Sequence, residues 1–205
     1  MLYLKKDISS TSILGIWQLE ESQEELLALL DNREWSDDIL SIKSESRRLE
    51  KLAVRVLLKD LTGEEKDICY LETGKPYLED GSCNISISHT KGYVAVFLDE
   101  KHRVGVDIEQ ISDKVIRVKS KYISDKEYID PNNELAHLLL HWSAKESIYK
   151  LLDIPGIELK EEVIIGRFKP EEEGVFTADI LKTNQKVEVC YCVTPDFVLT
   201  YTLLS

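Results

Sequence analysis

The strongest constraint on the fold is an internal repeat with an offset of about 90 residues. A glycine-headed apolar segment occurs twice, as Gly15-Ile16-Trp17-Gln18-Leu19-Glu20 and as Gly105-Val106-Asp107-Ile108-Glu109-Gln110. A helical pattern follows each copy, then a longer one with Ala53 or Ala144 on its apolar face, then strands that end in a hairpin. The order predicts an α+β fold of two similar halves, 1–103 and 104–205, packed as a pseudo-two-fold unit.

No glycine- or serine-rich linker separates the two halves, so we expect them to join tightly. Ligand sites favour such internal interfaces. Apolar periodicity predicts helices over 20–31, 44–61, from the end of the second glycine-headed strand to about 128, and over 134–152. Strands are predicted over 13–19, 68–71, 84–89, 92–98, 104–109, 162–168, 175–180, 186–193 and 197–204.

The second glycine-headed strand carries two carboxylates. Successive side chains of a strand point to opposite faces, so Asp107 and Glu109 share one face while Val106 and Ile108 fill the other. Unpaired like charges at that spacing repel and raise each other's pKa, and a cation between them relieves this. The pattern indicates a hard divalent ion such as Mg²⁺.

The longer helix of the second half contains Trp142-Ser143-Ala144-Lys145-Glu146-Ser147-Ile148-Tyr149-Lys150. Glu146 and Lys150 are four residues apart and therefore lie on one face, where Glu146 can complete the metal shell with Lys150 beside it. The alternative interpretation is an ordinary edge strand and an amphipathic helix with an i,i+4 ion pair.

The formal net charge is −12, which disfavours general nucleic-acid binding. One cluster opposes this trend: Lys114, Arg117, Lys119 and Lys121, a docking surface or simply a solvated face. No stretch has the length and apolarity of a signal peptide or membrane span, so we expect a cytoplasmic protein. The four cysteines show no zinc-site spacing and are expected to be reduced.

Four motifs occur in a fixed order: Gly74-Lys75-Pro76, Asn84-Ile85-Ser86-Ile87-Ser88-His89-Thr90, the strand 105–109 and the helix 142–150. Together they resemble the 4′-phosphopantetheinyl transferases of the two-domain, surfactin-synthetase-activating type. With the doubled architecture, the resemblance covers nearly the whole chain.

The resemblance implies transfer of the phosphopantetheine arm of coenzyme A to a serine of an apo acyl or peptidyl carrier protein, which releases adenosine 3′,5′-bisphosphate. It implies that Asp107, Glu109 and Glu146 hold Mg²⁺, with Mn²⁺ as a substitute, and that Lys150 lies against the diphosphate. Asp107, Glu146 and Lys150 are then the catalytic residues, with Glu146 or a metal-bound water as the base.

For the nucleotide end of coenzyme A, the resemblance implies that Ser88 and His89 reach the 3′-phosphate and that Lys75 holds the nucleotide. A strand-end histidine that only packs is the alternative for His89. The resemblance also implies a carrier with an acidic helix beside the modified serine, which the basic cluster is expected to attract. A monomer that binds neither nucleic acid nor membrane is expected.

The chain departs from the family pattern in two places. The segment 34–38, where the family is basic, is acidic, so Arg47 with Arg48, Lys51 or Arg55 is expected to grip the nucleotide instead. The segment 151–157 keeps only Gly156 and one aliphatic residue of the usual Gly-Leu turn. Two other functions remain open from the sequence: a non-catalytic carrier-binding relative and a metal-dependent phosphodiesterase on the same fold.

Overall fold

The computed structural model describes residues 1–32 and 39–204. The chain forms two compact units, Met1–Lys101 and His102–Ser205. Both combine antiparallel sheets with helices, so the predicted α+β class is confirmed. The boundary after residue 103 and the pseudo-two-fold relation stay predictions. No helix within the described ranges is both long enough and apolar enough to cross a membrane.

The first unit contains, in chain order, β1 (Leu2–Asp7), β2 (Ser12–Gln18), α1 (Gln23–Ala28), α2 (Glu45–Thr62), β3 (Ile68–Tyr70), β4 (Pro76–Leu78), β5 (Asn84–Thr90) and β6 (Tyr93–Asp99). Strands β1, β2, β6 and β5 pair in that order as an antiparallel sheet, and β3 pairs with β4 as a separate hairpin. The apolar face of α2 packs against this larger sheet through buried residues such as Leu52, Val56 and Leu57.

Helix α2 ends at a glycine, Gly63. Gly63 adopts a left-handed conformation with φ of 81°, and its N–H donates to the carbonyl of Lys59 at 2.8 Å. A residue with a side chain would be strained there, so glycine is the natural terminator.

The second unit contains β7 (Arg103–Gln110), α3 (Lys114–Val118), a 3₁₀ turn (Lys119–Lys121), α4 (Glu134–Leu152), α5 (Leu159–Glu162), β8 (Val163–Ile165), β9 (Glu173–Ile180), β10 (Gln185–Val193) and β11 (Phe197–Leu204). The strands pair antiparallel in the order β7-β11-β10-β9-β8, which leaves β7 at an edge. Helix α4 lies against β7 and β11, and most of its residues are buried.

A strand glycine sets how closely the long helix approaches in each unit. A Cβ added to Gly105 would lie 2.0 Å from the backbone carbonyl oxygen of Ser147 on α4. A Cβ added to Gly15 would lie 2.8 Å from the Leu57 side chain on α2. Close helix packing therefore explains the glycine in both strands. Glycine is more strictly required at Gly105, because an added Cβ would meet backbone atoms of α4 there and only side-chain atoms at Gly15.

The prediction of a helix that continues to about residue 128 is wrong. Helix α3 ends at Val118, and only one 3₁₀ turn follows. Beyond it, the carbonyl of Tyr122 accepts from Lys145 Nζ at 2.6 Å, and the N–H of Ser124 donates to Glu127 Oε2 at 2.8 Å. These side chains take the backbone groups that a continuing helix would need.

The second unit contains two buried histidines on one helix. His137 and His141 on α4 are both 0% exposed, and they pack against Phe168. Burial lowers the pKa of His137, although Asp130 opposes this, and burial lowers the pKa of His141 to about 3. Lys145 and His137 also disfavour the charged form of His141, so both rings stay neutral in the folded protein at neutral pH.

We expect the free energy of unfolding to fall as the pH drops below about 6.5, the ordinary histidine pKa. The two histidines then bind protons in the unfolded chain but stay neutral in the folded chain. This lowers the free energy of unfolding by up to about 1.4 kcal/mol per pH unit for each histidine. Urea unfolding between pH 7 and pH 5 measures this, with His141→Leu as the comparison. The free energy of unfolding of the variant should fall less steeply with decreasing pH than that of the wild type. An equal slope in both proteins would contradict a contribution of His141 to the acid sensitivity.

Candidate active site

Strand β7 and helix α4 bring the predicted carboxylates and lysine together. Asp107 is 4% exposed. Its neighbour across the sheet is Thr200, whose hydroxyl lies 2.9 Å from that of Ser143 on α4. The side chain of Asp107 therefore lies on the face of β7 that meets α4. Lys150 Nζ donates to Asp107 Oδ1 at 2.8 Å and to the carbonyl of Val106 at 3.0 Å. The edge strand and the helix therefore share one charged cluster.

The ion pair of Lys150 differs from the alternative interpretation of this helix. That interpretation gave Lys150 an i,i+4 partner in Glu146, whereas Lys150 crosses to Asp107 on β7. The side chain of Asp107 is 6% exposed and that of Lys150 is 28% exposed. A partly buried pair of this kind holds the strand and the helix in a fixed relation more firmly than an exposed helical pair would.

The two remaining carboxylates are harder to ionise than usual. Burial raises the pKa of Glu109, and the charge of Asp107 raises it further, while a hydrogen bond from Trp142 opposes both effects. Burial also raises the pKa of Glu146, with Asp107 adding to the shift and Lys150 opposing it. A carboxyl group with a raised pKa is suited to accept a proton near neutral pH.

Trp142 is a member of this site that the sequence pattern did not predict. Its Nε1–H donates to Glu109 Oε1 at 2.7 Å. Trp142 is the first residue of the helical motif, but helical periodicity does not predict which residue on another element it contacts.

The donor set fits a hard divalent ion. The charge of Asp107 raises the pKa of both Glu109 and Glu146, and a bound cation would relieve this repulsion. In the described part of the chain, no three His, Cys, Asp or Glu side chains converge closely enough as placed to hold a metal. Lys150 donates to Asp107 Oδ1 and Trp142 donates to Glu109 Oε1, so protein donors already engage one oxygen of each carboxylate.

A cationic cavity of about 580 Å³ lies in the first unit. Its walls come from α2, β3, β5 and the segment before α2, and its lining residues are Ile39, Ile42, Arg47, Glu50, Lys51, Val54, Arg55, Ile68, Tyr70, Ile87 and His89. Three cations four residues apart on α2, one glutamate and one histidine therefore line the cavity together with apolar and aromatic side chains.

The polar residues of this cavity interact with one another. Glu50 Oε2 lies 3.5 Å from His89 Nδ1, and Lys51 Nζ lies 5.9 Å from the ring centroid of Tyr70. Burial lowers the pKa of Arg55, and nearby Asp67 is the main opposing charge. Glu50 lies on α2 with the predicted cationic residues, whereas Tyr70 comes from β3, and neither was predicted to bind the nucleotide.

The structure separates some predicted nucleotide-binding residues from this cavity. Ser88 alternates with Ile87 and His89 along β5, so its buried side chain points to the opposite face. Lys75 lies in the turn between β3 and β4 and is not among the described lining residues. Arg48 is engaged elsewhere, by Gln23 and the carbonyl of Ile42. The acidic segment 34–38 lies outside the described residues.

Comparisons with known proteins agree with the motifs. Residues 103–202 match the family model of the 4′-phosphopantetheinyl transferase superfamily. The chain is 29% identical over 147 residues to a Haemophilus influenzae protein provisionally named a 4′-phosphopantetheinyl transferase, an alignment that covers 66% of this chain and 60% of that protein. It is 25% identical over 141 residues to the 4′-phosphopantetheinyl transferase of Bacillus subtilis, with 62% of each chain covered.

A third relative is the 4′-phosphopantetheinyl transferase gsp of Aneurinibacillus migulanus, 31% identical over 86 residues, which covers 40% of this chain and 35% of the relative. The chain thus spans less than two thirds of the length of each of these relatives. The matched region contains every carboxylate of the cluster as well as Lys150. The comparisons confirm the resemblance drawn from the motifs: residues 103–202 of this chain are similar to the 4′-phosphopantetheinyl transferase superfamily.

Proposed function

We propose that this chain transfers the 4′-phosphopantetheine moiety of coenzyme A to a serine of an apo acyl or peptidyl carrier protein. The observation that carries the proposal is the cluster of Asp107, Glu109, Glu146 and Lys150 between β7 and α4. In the reaction the serine oxygen forms a bond to the phosphorus on the pantetheine side of the diphosphate. The bond to the bridging oxygen breaks, and adenosine 3′,5′-bisphosphate leaves with the electron pair.

The residues of the second unit suit each part of that reaction. Glu146 takes the proton of the serine hydroxyl, a role that its raised pKa supports. Lys150 reaches from its position beside Asp107 toward the diphosphate and offers positive charge to the leaving oxygen. Asp107, Glu109 and Glu146 would hold Mg²⁺, which supplies further charge neutralisation when bound.

The first unit offers a site for the nucleotide end. Arg47, Lys51, Arg55 and His89 give positive charge for phosphate, and the isoleucines with Tyr70 give apolar contact for a base. Of the predicted nucleotide-binding residues, the cavity supports Arg47, Lys51, Arg55 and His89.

The function is tested by incubating the protein with coenzyme A, Mg²⁺ and an apo carrier protein and measuring the mass of the carrier by mass spectrometry. We expect a mass gain equal to one phosphopantetheine, with adenosine 3′,5′-bisphosphate released in equal amount. Loss of coenzyme A without a mass gain would identify a phosphodiesterase instead. Carrier binding without turnover would identify a non-catalytic relative.

His89→Ala should weaken the binding of coenzyme A much more than the binding of 3′-dephospho-coenzyme A. If His89 bonds the 3′-phosphate, only the first ligand loses a charge-assisted hydrogen bond, worth about 1.5–3 kcal/mol or roughly ten- to a hundredfold in affinity. Isothermal titration with both ligands measures this, and the dephospho form serves as the internal control. Equal losses for the two ligands would assign His89 to packing.

The basic cluster is proposed to dock the acidic carrier. Arg117 is 75% exposed in its side chain, and α3 also exposes Ile116 and Val118. Lys119 is paired with Glu134 at 2.8 Å, whereas the pair of Arg117 with Asp113 is longer, at 3.5 Å, and more exposed, so Arg117 and Lys121 are the better residues to change. Because the whole chain carries a charge of −12, attraction of an acidic partner must come from a local patch such as this.

Arg117→Glu with Lys121→Glu should raise the KM for the carrier about tenfold or more and leave the KM for coenzyme A nearly unchanged. The effect should shrink with added salt, since exposed charges are screened over about 10 Å at 0.1 M. Lys182→Glu with Lys186→Glu changes the net charge equally at the β9–β10 turn and is the matched control. An equal rise in both variants would mean that only total charge matters.

A further inference from the structure

Among the described residues, Trp142 donates the hydrogen bond that orients the side chain of Glu109. Its Oε1 accepts from Trp142 Nε1 at 2.7 Å, and an indole has no other donor. A rotation of the Trp142 ring would therefore break the bond and release the carboxylate. Whatever fixes that ring also fixes Glu109.

The ring of Tyr122 contacts Trp142. The two ring centroids lie 5.2 Å apart and the planes meet at 69°, an edge-on arrangement. Tyr122 is 1% exposed, whereas Trp142 is only half-buried. The inner tyrosine thus supports the outer tryptophan.

Tyr122 is itself held at both ends. Its hydroxyl lies 3.4 Å from the carbonyl of Val115 on α3 and 3.3 Å from that of Leu138 on α4. Its own carbonyl accepts from Lys145 Nζ at 2.6 Å, and Lys145 is fully buried with Glu127 as a second partner at 2.9 Å. Rotation of the tyrosine side chain would break both hydroxyl contacts as well as the contact with Trp142, and the bond from Lys145 holds the backbone that carries the ring.

We propose that Tyr122 is a positioning residue: it fixes the indole of Trp142, and through it the carboxylate of Glu109, against the basic helix α3. Tyr122 touches no reacting atom in this assignment. Its effect on turnover rests on the proposed function, whereas its effect on the Trp142–Glu109 hydrogen bond does not.

The test is the indole N–H resonance of Trp142 in a ¹⁵N–¹H correlation spectrum at fixed pH. The chain has three tryptophans, and the resonance that disappears in Trp142→Phe identifies the one required. In Tyr122→Leu and Tyr122→Met we expect that resonance to move away from its wild-type position. Its exchange with water should become at least about tenfold faster. Tyr122→Phe keeps the ring and should retain the wild-type signal.

Tyr191→Leu is the matched control. Tyr191 is another buried aromatic of the second unit, but it packs on Phe168 and Phe176, and its hydroxyl bonds near residues 169–171. It should cost comparable stability and leave the Trp142 resonance in place. The proposal is overturned if a folded Tyr122→Leu or Tyr122→Met protein keeps the wild-type signal, or if Tyr191→Leu alters it equally.

Turnover separates this proposal from the proposed function. If the chain is a transferase, Tyr122→Leu and Trp142→Phe should each lower kcat about tenfold or more with little change in the KM for coenzyme A, as loss of a supporting contact does. The double variant should be little worse than either, because both act through Glu109. If the wild type transfers nothing but the resonance responds as expected, the proposed function fails and the positioning role stands.

Discussion

Asp107→Asn and Glu146→Gln should each lower phosphopantetheinyl transfer by at least about 100-fold, since each removes a charge from a site whose work is electrostatic. Both substitutions keep the size of the side chain. Asp107→Asn also removes the acceptor charge that holds Lys150 at 2.8 Å, and Glu146→Gln removes the proposed base. Turnover with saturating Mg²⁺ and carrier measures the loss, and circular dichroism checks the fold.

The control for this experiment is Asp179→Asn. Asp179 is also an acidic residue of the second sheet and is paired with Lys186 at 3.2 Å, but it lies on β9, three strands from β7 in the sheet order. It should retain normal turnover. Near-normal activity of Asp107→Asn or Glu146→Gln with an intact fold would contradict the catalytic assignment of that residue.

Gly105→Ala should destabilise the protein by about 3 kcal/mol or more and reduce transfer with it. The new Cβ would stand 2.0 Å from a backbone oxygen of α4, which cannot move without shifting the helix. A shifted helix carries Glu146 and Lys150 away from Asp107. Urea unfolding gives the loss of stability, and turnover of the folded fraction gives the loss of alignment.

Gly15→Ala is the matched substitution in the first unit. There the new Cβ meets the ends of the Leu57 and Leu61 side chains at 2.8 and 2.9 Å, and such ends can adopt other rotamers. We expect a loss of only about 1 kcal/mol. If the two alanine variants lose equal stability, the close approach of α4 to β7 is not what Gly105 is needed for.

The sequence by itself determined the elements whose pattern is local. A period of two residues places Asp107 and Glu109 on one face of β7, and a period of 3.6 places Glu146 and Lys150 on one face of α4. Gly63 marks the end of α2 in the same way. The family motifs then join these segments, because their order and spacing are properties of the chain alone.

Strand β1 shows the limit of such patterns. Five of its six residues are exposed, so no alternation marks it, and the pairing of its backbone with β2 holds it in place. The end of α3 is a second case, since Lys145 and Glu127 take the backbone groups beyond it from positions distant in the sequence.

Only the tertiary structure decided which side chains meet. Lys150 pairs with Asp107 and not with its helical neighbour Glu146, and Trp142 holds Glu109 across 33 positions of sequence. Glu50 and Tyr70 join the cationic cavity, while Ser88 faces away from it and Lys75 is not among its described lining residues. The physical reason is that periodicity fixes the face of an element on which a residue lies, whereas packing fixes which element that face meets.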